Sequence, residues 1–316
     1  MQVRRSLAAV LTVGSVLFVT ACAGDEVSGT PQEDATSSRA AAKGSVSISG
    51  QSFPEAALVA SMYEQLLSDA GYSTNVKLVD TRDAYMPTFP KSVDVVPEYV
   101  GGIVNFLNAT ENGENAKPLT AGDGQELADA GKELLDAKGL TLLDLSEATD
   151  TNAFFVTQEF SESEGVTKLS DLEGMSVKLA AAPDCEGRLD CEGGLSDQYG
   201  IDVTEVLPLG YATDQTYQAV LDGETELGET STTDGTLQAQ GLVVLEDDKQ
   251  IQPAQNLVPA VSTTFLADHP DVAEVLNPLM AALTTENLTE LNGRVAVDRE
   301  KPEDVARDFL EQEGLL

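Results

Sequence analysis

The chain of 316 residues is 41% hydrophobic, enough to build the core of one two-lobed domain or of two ordinary ones, which excludes a disordered chain. Its 18 Lys and Arg stand against 54 Asp and Glu, a formal net charge of −36, and this excludes nucleic acid as a partner because the phosphate backbone would be repelled. Screening beyond about 8–10 Å prevents so general a charge from naming a ligand, and it reads as a solvated surface.

In chain order, Arg4 and Arg5 form a basic start, residues 7–19 are mostly apolar, and Val19-Thr20-Ala21-Cys22 sets small residues before a cysteine. The apolar run is shorter than the ~20 residues a spanning helix needs. A plain secretory peptide requires no cysteine at its cleavage point, whereas a lipoprotein needs the thiol to carry its lipid. The pattern therefore resembles a bacterial lipobox, with residues 1–21 as signal peptide and Cys22 as lipid anchor. Residues 22–44 are small, polar and aperiodic, the composition of a flexible tether. The expected location is the extracytoplasmic face of a bacterial cell membrane. Disulfides persist there, so Cys185 and Cys191 can form a bridge. A metal pair is the rival reading, weakened by a single histidine, His269, far away in sequence.

The folded part begins near Ser45. Residues 45–48 alternate as a strand, 54–70 carry Ala57, Leu58, Met62, Leu66 and Leu67 on one helical face, and 75–79 read as a second strand. A short helix over 83–89, a strand over 93–96 and a helix over 99–107 continue this βαβ order. One long helix is predicted over 124–138, ending at Gly139, and a strand over 141–145. The order then repeats, with strands over 154–156, 176–179, 203–207, 226–228 and 243–245 and helices over 169–172, 194–199 and 213–222. The tail is helical over 272–283, 285–295 and 302–313.

Two α/β units with extended stretches at both junctions, 149–155 and 252–262, predict two lobes crossed twice by the chain: residues 45–150 with 252–316, and residues 151–251. A ligand cleft between lobes follows, at the carboxyl ends of strands. Catalytic equipment is sparse. His269 sits in Asp268-His269-Pro270-Asp271, which reads as a capped helix start rather than a triad member. No Walker loop, GxGxxG or HExxH is present, and carboxylates are too numerous for one glycosidase pair to stand out. Binding is favoured over catalysis, with no cofactor and no resident metal.

The segments SVSISGQSFPE, KSVDVVPEYVGG and EDDKQIQPAQNLVP, together with Thr233-Asp234-Gly235 and LNGRVAVDREKPEDVARDFL, follow one another as they do in a known family. Over nearly all of residues 45–316 the chain resembles the osmoprotectant (glycine betaine, choline, carnitine) solute-binding proteins of ABC importers. The resemblance implies the two-lobed α/β periplasmic-binding-protein fold of type II, closing around its ligand. It also implies capture of a quaternary ammonium solute for a membrane permease, without catalysis. Such members hold the trimethylammonium group by cation–π attraction to a box of rings, roughly 0.5–2 kcal/mol per good contact.

Carried over by position, Tyr99 and Phe154, with Asn152 beside it, match two ring positions, while Ser231 and Gln255 stand where two more rings are expected. Arg188 matches the carboxylate-binding arginine, and Gln51 replaces a lysine. Tyr85 or Tyr211 could supply a missing ring. The polar replacements also fit a more polar solute, such as an amino-acid derivative, or a sensory or scaffold lipoprotein on the same fold. The expected partners are a small solute, permease subunits and the membrane through Cys22, with the protein acting as a monomer.

Overall fold

The computed structural model describes residues 43–113, 116–120 and 123–316. The expected signal peptide, the expected lipid-anchor position Cys22 and the expected tether up to residue 42 lie outside the described residues.

The first α/β unit runs β1 (Ser45–Gln51), α1 (Pro54–Asp69), β2 (Ser73–Val79), α2 (Arg82–Tyr85), β3 (Val95–Tyr99), α3 (Val100–Asn112), α4 (Gly124–Ala130), α5 (Lys132–Lys138) and β4 (Leu140–Leu142). The second runs β5 (Asn152–Thr157), α6 (Gln158–Glu164), a 3-10 turn (Leu169–Leu172), β6 (Ser176–Ala181), α7 (Glu192–Asp197), β7 (Asp202–Pro208), α8 (Asp214–Leu221), β8 (Leu227–Ser231) and β9 (Leu242–Leu245). The chain then returns through β10 (Leu257–Ser262), α9 (Thr263–Asp268), α10 (Asp271–Ala282), α11 (Thr285–Ala296) and α12 (Pro302–Gln312).

Two five-stranded sheets result, ordered β2-β1-β3-β10-β4 and β7-β6-β8-β5-β9. Their construction is reciprocal. In the first, β1 is parallel to β2 and β3, and β10 enters antiparallel between β3 and β4. In the second, β6 is parallel to β7 and β8, and β5 enters antiparallel between β8 and β9. Each crossing of the chain thus ends in an antiparallel strand of the sheet it reaches. The crossings also meet: Thr149 bridges Asn256, and the Asp150 amide donates to the Gln255 carbonyl at 3.2 Å.

Both sheets are covered on both faces, so their central strands are apolar without clean alternation. In β3, Val95 packs with α1, α10 and α12 through Met62, Leu276 and Phe309, while Val96 packs with Ile103 and Leu127 on the other face. In β5 the same period of two sends Phe154 toward Leu179 and Tyr199 and Phe155 toward Tyr217 and Val220.

Several sequence expectations need correction. The single helix over 124–138 is two helices broken at Gly131, where a Cβ would lie 2.5 Å from a Val104 methyl. The break lets both halves pack on α3. The strand expected over 141–145 ends at Leu142. Helices α6 and α9 have no fully buried residue, so there was no apolar stripe to find. Their signals were the caps: Thr157 accepts from the Phe160 amide at 3.1 Å and Ser262 from the Phe265 amide at 3.3 Å.

Candidate ligand-binding cleft

The strand ends beside the two crossings bring together residues from both sheets. β3 delivers Tyr99, whose hydroxyl donates to Glu55 in the first turn of α1 and whose ring stacks on Phe53 with centroids 6.3 Å apart. Glu55 also accepts from Asn292 Nδ2 at 2.6 Å, and the same nitrogen donates to the Thr233 carbonyl at 2.9 Å. This chain of contacts joins α1 and α11 to the turn after β8. Asp150, in the first crossing, lies among them. Burial and the charge of Glu55 push its carboxyl up to about 7, against the opposing pull of the Thr233 and Ser231 hydroxyls. Burial, then the charge of Glu55 and then that of Asp150 raise the pKa of the Tyr99 hydroxyl; Asp150 also helps raise that of Tyr211, which lies 42% exposed in the turn between β7 and α8 with its hydroxyl end the more enclosed part. One carboxylate therefore acts on an aromatic residue from each α/β unit.

Glycines set how closely these parts approach. A Cβ on Gly101 would lie 2.5 Å from the Ala254 carbonyl oxygen, and one on Gly102 would lie 2.6 Å from the Arg82 guanidinium. A Cβ on Gly235 would lie 2.2 Å from the Gly293 nitrogen, so this turn packs directly on the α11 backbone. Asp234 fixes the turn, accepting from Tyr217 and Thr230 hydroxyls at 2.5 and 2.6 Å and from the Thr236 hydroxyl at 2.7 Å.

The expected site residues divide. Tyr99 and Ser231 reach the convergence, and Gln51 ends β1, half-buried. Gln255 stands beside Asp150 through its backbone, but its Oε1 accepts from the Gly102 amide at 2.9 Å and caps α3, filling the ring position with a structural contact. Tyr85 is 2% exposed in the first lobe's core and donates its hydroxyl to Glu98. Phe154 is 1% exposed in the second core, because it alternates with Phe155 on a sheet covered on both faces. Arg188 is paired: its Nε and a terminal nitrogen donate to Asp190 at 2.9 and 2.7 Å, with Asp184 at 3.4 Å. Asn152 donates to that same Asp190 at 3.4 Å. The Cys185 and Cys191 sulfurs are bonded at 1.99 Å, closing the loop that holds Arg188.

Asp150, Glu55 and Asn292 were not named as ligand residues in the sequence, and Thr233 stood out only as part of its Thr-Asp-Gly motif. Glu55 had a signal, as the last residue of SGQSFPE, and Asp150 another, its place inside a crossing. A cavity of about 920 Å³ opens beside the same turn after β8 and α11, lined in part by Asp234, Leu237, Leu242, Thr289 and Val297 and by none of the expected ligand residues. A smaller one of about 260 Å³ touches Asn152 and Phe154. The convergence of strand ends and crossings, rather than cavity size, defines the cleft.

The family described as the substrate binding domain of ABC-type glycine betaine transport systems matches residues 44–312. A glycine-betaine-binding protein of Pseudomonas aeruginosa is 28% identical over 281 residues, 85% of this chain and 88% of that protein. The solved structure of apo YehZ from Escherichia coli superposes with a TM-score of 0.72 at 26% identity, covering 86% of this chain and 99% of that one. A structure described as a glycine betaine/carnitine/choline ABC transporter reaches a TM-score of 0.73 at 21% identity, over 86% and 98% of the two chains, a likeness of fold.

Proposed function

We propose that this chain, which belongs to the family of substrate-binding domains of ABC-type glycine betaine transport systems, captures a small quaternary ammonium solute between its two sheets and hands it to membrane permease subunits. What carries the reading is the family match over residues 44–312, together with the pairing of the two crossings beside Tyr99 at the end of β3. A quaternary ammonium cannot donate hydrogen bonds, so ring faces and a negative field are what can recognise it. A solute touching both lobes favours the closed arrangement, and permease subunits that read closure take only the loaded form. The lobes are residues 45–150 with 252–316, and residues 151–251, with the crossings as hinges. No bond of the solute is made or broken. Outside the cell, Cys22 carries the lipid that holds the protein, acting as a monomer, near its permease; the tether raises the local concentration of captured solute there.

Thermal unfolding with glycine betaine, choline, carnitine, proline betaine, ergothioneine, amino acids and polyols tests this reading. At 100 times its dissociation constant the right solute stabilises by about 2.7 kcal/mol, which raises the midpoint by roughly 5–10 °C in a protein of this size. A quaternary ammonium is expected to give the shift. A panel in which none does contradicts the reading.

A further inference from the structure

Helix α11 serves both α/β units. Leu288 and Leu291, with Val295 beside them, pack into the first core. A second stripe of the same helix, Thr285, Thr289, Asn292 and Gly293, has the spacing of one face and meets the first crossing and the second unit. Its first residue is fixed at the crossing, where the Thr149 amide donates to the Thr285 hydroxyl at 3.0 Å. The turn after β8 is fixed there too: the Thr232 hydroxyl donates to the Thr149 carbonyl at 2.7 Å and accepts from the Thr151 amide at 3.1 Å. Farther along, the Thr289 hydroxyl stands 3.2 Å from the Thr232 carbonyl oxygen, and Asn292 Nδ2 donates to the Thr233 carbonyl at 2.9 Å. The seam ends at Gly293, about 12 Å along the helix from Thr285. There a Cβ on Gly235 would lie 2.2 Å from the Gly293 nitrogen and 2.4 Å from the Thr289 carbonyl oxygen, and one on Gly293 would lie 3.0 Å from the Gly235 oxygen. Neither glycine has a left-handed backbone, and glycine inside a helix is destabilising relative to alanine, so close approach is what the pair supplies.

Such a seam can part. Its contacts are made by hydroxyls, one side-chain amide and bare glycine backbone, the small polar kind of interface across which units of one chain move. Beside it runs the cavity of about 920 Å³, lined from both units. Apolar residues of each, Leu237 and Leu242 on one side and Val297 on the other, border it, and Val297 stays 44% exposed. The units are therefore not sealed together along this side, and water entering the cavity can satisfy the seam's polar groups when it opens.

We propose that α11 is a strap for closure: docking of residues 289–293 on the turn after β8 holds the two units in the closed arrangement. Opening parts the contact between Gly235 and Gly293, while Thr149, Thr232 and Thr285 stay together as the pivot. The inference rests on the reading of the two units as lobes that close on solute, and it adds the element that sets how strongly closure is favoured. The strap acts with or without solute. It thereby fixes the closed fraction, and the apparent dissociation constant is the intrinsic one divided by that fraction.

The test is small-angle X-ray scattering of the full chain, with calorimetric titration by choline. In Gly235→Ala the added methyl meets backbone, which no change of rotamer relieves. Without solute this variant is expected to have a larger radius of gyration than the unaltered protein, and it should bind choline roughly tenfold more weakly. In Gly293→Ala the Gly235 oxygen has to give by only a few tenths of an ångström, and alanine favours the helix itself. Its affinity is expected to fall about threefold with no fall in melting midpoint, a split that mere damage to the fold does not produce. Gly293→Ala also keeps the test in force if Gly235→Ala does not fold. Equal radii without solute, or an affinity unchanged in both variants, overturns the inference and leaves solute capture standing. Tighter binding or a more compact Gly235→Ala overturns it as well, because the seam would then belong to the open arrangement. If choline does not bind the unaltered chain, the proposed function is contradicted, and the radii without solute decide the strap on their own.

Discussion

Replacing Glu98 by Ala is expected to cost about 3–5 kcal/mol of stability, the penalty for removing one partner of a buried ion pair. The Glu98 side chain is 2% exposed and accepts from Arg82 Nε and a terminal Arg82 nitrogen, both at 2.8 Å, from the Tyr85 hydroxyl, and from the Tyr99 amide at 3.1 Å. Removal strands the Arg82 guanidinium, whose side chain is 20% exposed and sits where Gly102 leaves room for it. It also leaves the buried Tyr85 hydroxyl without its acceptor. Urea unfolding should show the loss as a lower midpoint with an unchanged slope. Replacing both charges, as Arg82→Met with Glu98→Leu, should recover part of it, because no charge is then left unpaired although the Tyr85 hydroxyl still lacks its acceptor. A single replacement costing under about 1 kcal/mol would show that solvent, rather than the pair, satisfies Arg82. The consequence reaches the cleft because Glu98 directly precedes Tyr99 and holds its backbone.

The second large effect is on the pH dependence of the empty protein. The Asp150 carboxyl, raised from an ordinary 3.8 to about 7 chiefly by burial and then by Glu55, keeps its proton to higher pH in the folded chain than in the unfolded one. Its contribution to stability is thus complete below about pH 4 and is lost as pH rises through 7. Between about pH 5 and 8 this one group should remove on the order of 2 kcal/mol, or roughly 5 °C in melting midpoint. With a net charge of −36, mutual repulsion among other carboxylates also weakens the protein as pH rises. The readout is therefore the difference from Asp150→Asn, which should be the more stable form at about pH 8 and lose that advantage by about pH 5. Equal slopes for the two proteins would show that Asp150 ionises as an ordinary exposed acid. Such a cost at a site that ligand would relieve is the usual price of function.

The alternation of α and β elements was legible because most helices carry an apolar face and most strands a run bounded by turn residues. The two crossings were legible as extended stretches, and the second proved to contain β10. What periodicity could not give was the side of the sheet. Phe154 and Phe155 are both buried, on opposite faces, and no pattern in a doubly covered strand says which face turns toward a ligand. The positional likeness of Arg188 to a carboxylate-binding arginine was real in sequence, yet Asp190, two residues on, takes its Nε and one terminal nitrogen, and Asp184 faces the other at 3.4 Å. Gln255 replaced a ring with a helix cap, a role visible only once α3 and the second crossing lie side by side. Asp150 went unnoticed for a simpler reason. Among 54 acidic residues, only the fold distinguishes the one that burial and Glu55 keep from ionising normally.

Hydrogen–deuterium exchange with and without saturating choline tests most directly whether solute is gripped by both α/β units at the paired crossings. Slower exchange is expected at the end of β3 and start of α3, in the turn after β8, and across residues 149–151 and 254–256 where the crossings pair. Protection confined to one sheet, or absent from the crossings while choline is bound, would contradict it.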